Sequence, residues 1–344
     1  MVPQDQRTIA TSDLAQFDAE GWCVVRNVLS KEAAAATREM MDEVLGPPDG
    51  TAPMADSAGR VYQPRPWPRI SAAEGGGPVV NYAGPLLAGE PLRGFVRQVE
   101  HPIRDARAAT VVEPMVPHVA AALRCTEPNS EMCLIHQNFR RTDPSPPPYE
   151  SLTAGLHMDS GFLPQHYHTE PRQSYVLAVL SLSPMVRGGA AFCVAPGSFA
   201  AARRAGQALA PELRATIDGR KARGELPALL GQGIPGSEVE LSRRVAQEIE
   251  MEVGDMLIFD PMLSHAGSPF KQGVHHSTGS SRHALFSVFA ARAAIGASLA
   301  GVPERPYAAP ATKYPAEFRD ALPPRLRGML DWELPFAPNG VARI

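Results

Sequence analysis

Two short stretches carry side chains that can bind a metal from an extended backbone. In Leu156-His157-Met158-Asp159-Ser160-Gly161 an imidazole and a carboxylate stand two residues apart, with an apolar residue between them. On a strand, residues i and i+2 share a face, so His157 and Asp159 are presented together while Met158 points away. Far downstream, the turn Gly254-Asp255 is expected to launch an apolar strand through Met256-Leu257-Ile258-Phe259 that ends at His265. Two imidazoles and one carboxylate form the facial set that holds non-haem Fe(II). Three ligands on one face of an octahedron leave three positions, enough for a bidentate co-substrate and O2.

Each piece is weak alone. A His-x-Asp sequence often marks a turn, and a single strand-end histidine is more often a satisfied core residue. Ser281-Arg282-His283-Ala284-Leu285-Phe286 strengthens both. Arg282 opens a strand soon after His265, where its guanidinium would enter an apolar barrel. A buried arginine needs a partner, and a carboxylate held through two parallel N–H bonds is the best one. Arg292 is a rival, but it falls too far along that strand.

Other candidates have bland readings beside the functional ones. His136-Gln137-Asn138 lies on a strand passing the site, so Asn138, or Gln137 if the parity is reversed, could bond a co-substrate. Ordinary strand-edge bonding explains either equally well. Arg140-Arg141 could meet an anionic substrate group or be a solvated pair. Tyr62 and Trp67 could cover an apolar substrate, although packing their own loop is the simpler role. His166-Tyr167-His168 has metal-ligand spacing but no carboxylate at the required place, so His166 reads as a residue at the mouth of the site or on the surface. His275-His276 reads as solvated. No Walker loop, no GxSxG elbow and no GxGxxG after a strand occurs, so nucleotide binding and serine hydrolysis have no support.

The elements that must position these residues are short. Proline and glycine number 35 and 29 in 344 residues, which excludes coiled coils, helical solenoids and any mostly helical fold. A hydrophobic content of 44% is still enough for a large core. Strands are expected over 133–140, 175–182, 190–195, 256–259 and 283–289, all free of proline. At the amino end, Ser12-Asp13 is expected to cap a helix that ends near Gly21, followed by a strand at 22–26. Ser30 should cap a second helix running to Leu45. We read one domain over 1–344. It has an irregular, lid-like segment at 46–91, a helical insertion at 199–250 and a Pro-rich tail at 302–344. Many short strands with helices around them favour a β-sandwich or jelly roll.

The net charge of −3 gives no basic surface for nucleic acid. No apolar run is long enough for a membrane span, and no secretory signal opens the chain. Cys23, Cys125, Cys133 and Cys193 show no CxxC pairing and read as buried thiols of a cytoplasmic protein.

The sequence resembles the phytanoyl-CoA dioxygenase family of Fe(II)/2-oxoglutarate oxygenases. Matching segments occur in the family's order: 17–30, His157-Met158-Asp159, Gly188-Gly189-Ala190 with Val194-Ala195-Pro196-Gly197-Ser198, and Gly254-Asp255 through His265-Ala266-Gly267-Ser268. The resemblance implies a mainly β fold, a double-stranded β-helix (jelly-roll, cupin-like) core with helical decoration. It implies iron held by His157, Asp159 and His265, with Arg282 on the far carboxylate of 2-oxoglutarate. It also implies an enzyme that uses O2, converts 2-oxoglutarate to succinate and CO2, and oxidises a C–H bond of a small or medium organic molecule. Related halogenases replace the carboxylate by a small residue, so Asp159 favours hydroxylation, or a desaturation, cyclisation or epimerisation. The reading from another class is a jelly-roll binding protein without turnover. Two departures bear on substrate choice rather than on the metal: a long polar interval between His265 and Arg282, and segments 46–91 and 199–250 without family counterpart. A homo-oligomer is possible.

Overall fold

The computed structural model describes residues 9–45, 79–83, 96–103, 105–143, 175–189, 191–203, 246–268, 281–293 and 314–332. Within them, α1 (Thr11–Glu20) ends at Gly21, whose φ of 80° is a left-handed helix stop. Ser12 and Asp13 lie inside the first turn of α1 rather than capping it. Strand β1 (Trp22–Val25) follows, then α2 (Lys31–Leu45), capped as expected by Ser30 Oγ, which accepts from Ala33 N–H at 3.1 Å.

Seven antiparallel strands make the large sheet. In spatial order they are β1, β8 (Met256–Phe259), β5 (Tyr175–Ser181), β10 (Arg282–Ala291), β4 (Met132–Asp143), β3 (Val96–Pro102) and β2 (Val79–Ala83). The small sheet has the order β7 (Gln247–Ile249), β6 (Phe192–Val194) and β9 (His265–Gly267). Strands β2 and β3 fall where the sequence suggested irregular chain or nothing definite, and they extend the large sheet at its edge. Period-2 alternation splits the large sheet's side chains between two compartments. Leu177, Val179, Leu257, Phe259, Phe286 and Val288 face the small sheet, where Phe192, Val194 and Ile249 meet them. Val176, Ala178, Leu180, Ile258, Leu285 and Phe289 face the helical layer. That layer includes α3 (Val112–Leu123), which carries Pro117 in its interior, and α5 (Ala316–Ala321). A short α4 (Pro128–Glu131) leads into β4.

Two opposed antiparallel sheets with helices on the outer face of the larger one make the mainly β, jelly-roll architecture expected from the sequence. Segment 314–332 of the Pro-rich tail belongs to the core, burying Phe318, Leu322, Leu326 and Met329. Among the described residues, no helix is long and apolar enough to cross a membrane.

Candidate active site

His265 does not lie on the strand launched by Gly254-Asp255, as the sequence suggested. β8 stops at Phe259, the chain turns, and His265 opens β9 in the other sheet, opposite Val194. The turn is held by its own backbone and side chains. Leu263 N–H donates to the Asp260 carbonyl at 2.9 Å, Met262 N–H to Asp260 Oδ1 at 2.8 Å, and Ser264 N–H to Ser198 Oγ at 3.1 Å. The imidazole of His265 is buried between aromatic rings. It stacks on Phe192 at 5.1 Å between centroids and meets Phe259 at 4.6 Å.

Nδ1 of His265 lies 2.9 Å from the Leu263 carbonyl oxygen. A carbonyl only accepts, so the proton sits on Nδ1 and the lone pair of the neutral ring sits on Nε2. This is the second hydrogen bond that metal-ligating imidazoles commonly make, and it suits His265 to iron. His157 and Asp159 lie outside the described residues, as do Tyr62, Trp67 and His166. Among the described residues alone, no three metal-binding side chains gather.

Arg282 is the first residue of β10 and is buried. Its cross-strand partner is Thr142, and its Nη2 donates to Thr142 Oγ1 at 3.0 Å. Arg282 shares a face with Ala284 and Phe286, which puts its guanidinium on the inter-sheet side. Asn138 stands opposite Phe286 on that face, and Arg140 opposite Ala284 with its guanidinium carbon 3.9 Å from the Phe286 ring centroid. The parity left open by the sequence is therefore settled for the strand. Gln137 points to the helical layer, where its Nε2 donates to Ser287 Oγ at 3.2 Å, so it cannot face a co-substrate between the sheets. Arg141 shares the side of Gln137 and is buried, not solvated. Arg292 is fully used as a strap, donating to the carbonyls of Ser130, Met132, Gly328 and Asp331.

His265 on the small sheet and Arg282, Asn138 and Arg140 on the large one thus line the same inter-sheet space. Phe192, Phe259 and Phe286 pack in one cluster along it. The arrangement offers a metal-competent imidazole, a buried cation for a carboxylate and an amide, within largely apolar walls.

The family model described as phytanoyl-CoA dioxygenase (PhyH) matches residues 17–284. The chain belongs to the phytanoyl-CoA dioxygenase family. Members are Fe(II)- and 2-oxoglutarate-dependent oxygenases, and this chain is accordingly a non-haem dioxygenase that uses iron, 2-oxoglutarate and O2. Solved structures similar to it include the non-haem carbocyclase SnoK from nogalamycin biosynthesis, at 14% identity and TM-score 0.49 over 85% of this chain and 88% of that one. HygX from Streptomyces hygroscopicus, with nickel and 2-oxoglutarate bound, is 17% identical at TM-score 0.43 over 86% and 95% of the two chains. EctD from S. alaskensis, with 2-oxoglutarate and 5-hydroxyectoine, is 15% identical at TM-score 0.45 over 85% and 79%. No curated protein matches the chain.

Proposed function

We propose that this phytanoyl-CoA dioxygenase family member hydroxylates a C–H bond of a small or medium organic molecule, with His157, Asp159 and His265 holding the iron. When bound, the iron supplies the coupling of O2 activation to 2-oxoglutarate decarboxylation. One oxygen atom goes to succinate and the other to the product alcohol, with CO2 released. Arg282 receives the distal carboxylate of 2-oxoglutarate, and Thr142 holds one of its N–H groups so that the guanidinium fork is preset. Asn138 provides an amide for 2-oxoglutarate or substrate. Arg140, held over Phe286, is the cation for an anionic group of the substrate. Phe192 and Phe259 keep the imidazole of His265 out of bulk water.

The observation that carries this reading is the pairing of His265 Nδ1 with the Leu263 carbonyl, which makes Nε2 the unprotonated nitrogen of the neutral ring. The test is succinate formation from 2-oxoglutarate with Fe(II), ascorbate and air, over a panel of small-molecule substrates. Succinate above the level of an Asp159→Ala control is expected. None across the panel would refute turnover and leave a binding protein.

A further inference from the structure

On the far side of the large sheet from Arg282, a single carboxylate joins three elements. Asp42, on the last turns of α2, accepts from Arg141 Nη1 at 3.2 Å and lies 2.8 Å from His283 Nε2, both on its Oδ1. Arg141 and His283 are themselves direct cross-strand partners on β4 and β10. Both are buried, whereas Asp42 is half exposed. His283 Nδ1 faces the Ser281 carbonyl at 3.1 Å, so both ring nitrogens look onto oxygen. Asp42 from α2 meets the imidazole, and Arg141 from β4 shares the same carboxylate oxygen. On the β5 side, His283 N–H donates to Ser183 Oγ at 2.8 Å.

The position of this cluster gives it a role. Arg141 immediately precedes Thr142, and His283 immediately follows Arg282. Thr142 and Arg282 are the next cross-strand pair, bonded to each other on the opposite face. At this register, the pair facing the inter-sheet space and the pair facing α2 share one stretch of backbone. β10 begins at this pair.

We infer that Asp42 is a positioning residue for 2-oxoglutarate. By holding Arg141 and His283 together it clips the start of β10 to β4 and fixes where the Arg282 guanidinium meets the co-substrate carboxylate. This rests on the assignment of Arg282 as the carboxylate partner. It adds a residue that touches neither metal nor co-substrate, and it makes the docking of α2 part of co-substrate affinity.

The experiment is calorimetric titration of 2-oxoglutarate into the manganese-loaded protein, with Asp42→Asn, His283→Gln and Arg282→Ala beside the parent chain. Manganese affinity is measured separately for each, below the melting temperature of every variant. Asp42→Asn and His283→Gln should each weaken 2-oxoglutarate about tenfold, the scale on which supporting hydrogen-bond partners act, and the double variant should be little worse than either. Manganese affinity and the KM for the organic substrate should not move. A merely structural tie would lower the melting temperature and leave co-substrate affinity as it was; that result overturns the inference. If Arg282→Ala itself leaves 2-oxoglutarate affinity intact, the carboxylate assignment falls, and the inference with it.

Discussion

The site's chemistry depends on which atoms of His265 and Arg282 are already engaged. Nδ1 of His265 is tied to a backbone carbonyl and Nη2 of Arg282 to Thr142 Oγ1, so the orientation of each side chain is fixed by the fold. Arg282→Lys keeps the positive charge but loses the planar fork. It should raise the KM for 2-oxoglutarate about tenfold to a hundredfold and change the KM of the organic substrate little, as steady-state kinetics with each varied in turn will show. Arg140→Gln should do the reverse. Its effect should fall on an acidic substrate and vanish for a neutral analogue, since the guanidinium over Phe286 stands two residues along β4 from Thr142. These two arginines were legible in the sequence as residue types on strands, but their sides were not. A period of two assigns faces only once the register is known, and Arg140 and Arg141 have opposite fates: one lines the inter-sheet space, the other is buried against α2.

At the scale of elements, tight approaches explain the residues found in one of the segments that carry the family resemblance, Gly254-Asp255. Gly254 sits at φ 90°, and a Cβ there would lie 2.1 Å from the Leu29 carbonyl oxygen, which belongs to the loop between β1 and α2. Gly254 N–H donates to the Ser181 carbonyl at 2.8 Å while its own carbonyl accepts from Leu29 N–H at 3.0 Å. Beside it, the Asp255 carboxylate binds Arg26 at 2.5 Å and the backbone N–H groups of Asn27 and Glu252. The Gly-Asp pair is thus a bolt between the β1–α2 loop and the start of β8. Gly254→Ala should cost about 2–4 kcal/mol, combining left-handed backbone strain with a clash against main chain, read from the denaturant midpoint.

The α2 docking gives an acid-sensitive element. Burial alone would raise the Asp42 carboxyl, but hydrogen bonds and charge from His283 and then Arg141 outweigh it and hold the group below its ordinary value. A carboxylate with a depressed folded pKa contributes stability that is present above its unfolded pKa, near 4, and is lost as pH falls through the folded value. Melting temperature should therefore fall below about pH 4 in the parent chain and fall less steeply in Asp42→Asn. The strands at 256–259 and 175–182 were readable from apolar runs between turns. β2, β3 and α3 were not: β2 adjoins a Pro- and Gly-rich stretch, β3 ends on Pro102, and α3 carries Pro117 internally. Tertiary packing overrode the local signal at each. The change of sheet between Phe259 and His265 was equally hidden, because a turn and a strand crossing to another sheet look alike in one dimension.

Across the whole molecule, one large sheet serves two cores. Its helix-side face meets α1, α2, α3 and the 314–332 segment, and its other face meets the small sheet. Arg292 fastens that segment by donating to the Gly328 and Asp331 carbonyls in it and to those of Ser130 and Met132 beside it, and Trp332 Nε1 donates to the Leu134 carbonyl at 3.0 Å, so the end of β10, the start of β4 and residues 314–332 are tied to one another. A sheet that supplies walls to both compartments is expected to couple the opening of one to that of the other. The free cysteines report on this directly. Cys23 on β1 lies on the helix side and Cys133 on β4 on the inter-sheet side, both fully buried. Burial is the main cause pushing the Cys23 thiol up to about 12 and the Cys133 thiol up to about 11, so neither reacts as thiolate in the folded state. Labelling with a disulfide reagent should then proceed only through opening. If the two compartments unfold as one unit, Cys23 and Cys133 should label with the same free energy of opening and the same dependence on denaturant, measured by mass spectrometry of each peptide. A Cys133 that labels many times faster than Cys23, at a rate independent of denaturant, would mean that the inter-sheet space opens by itself. The site would then be built on a separately mobile half of the barrel.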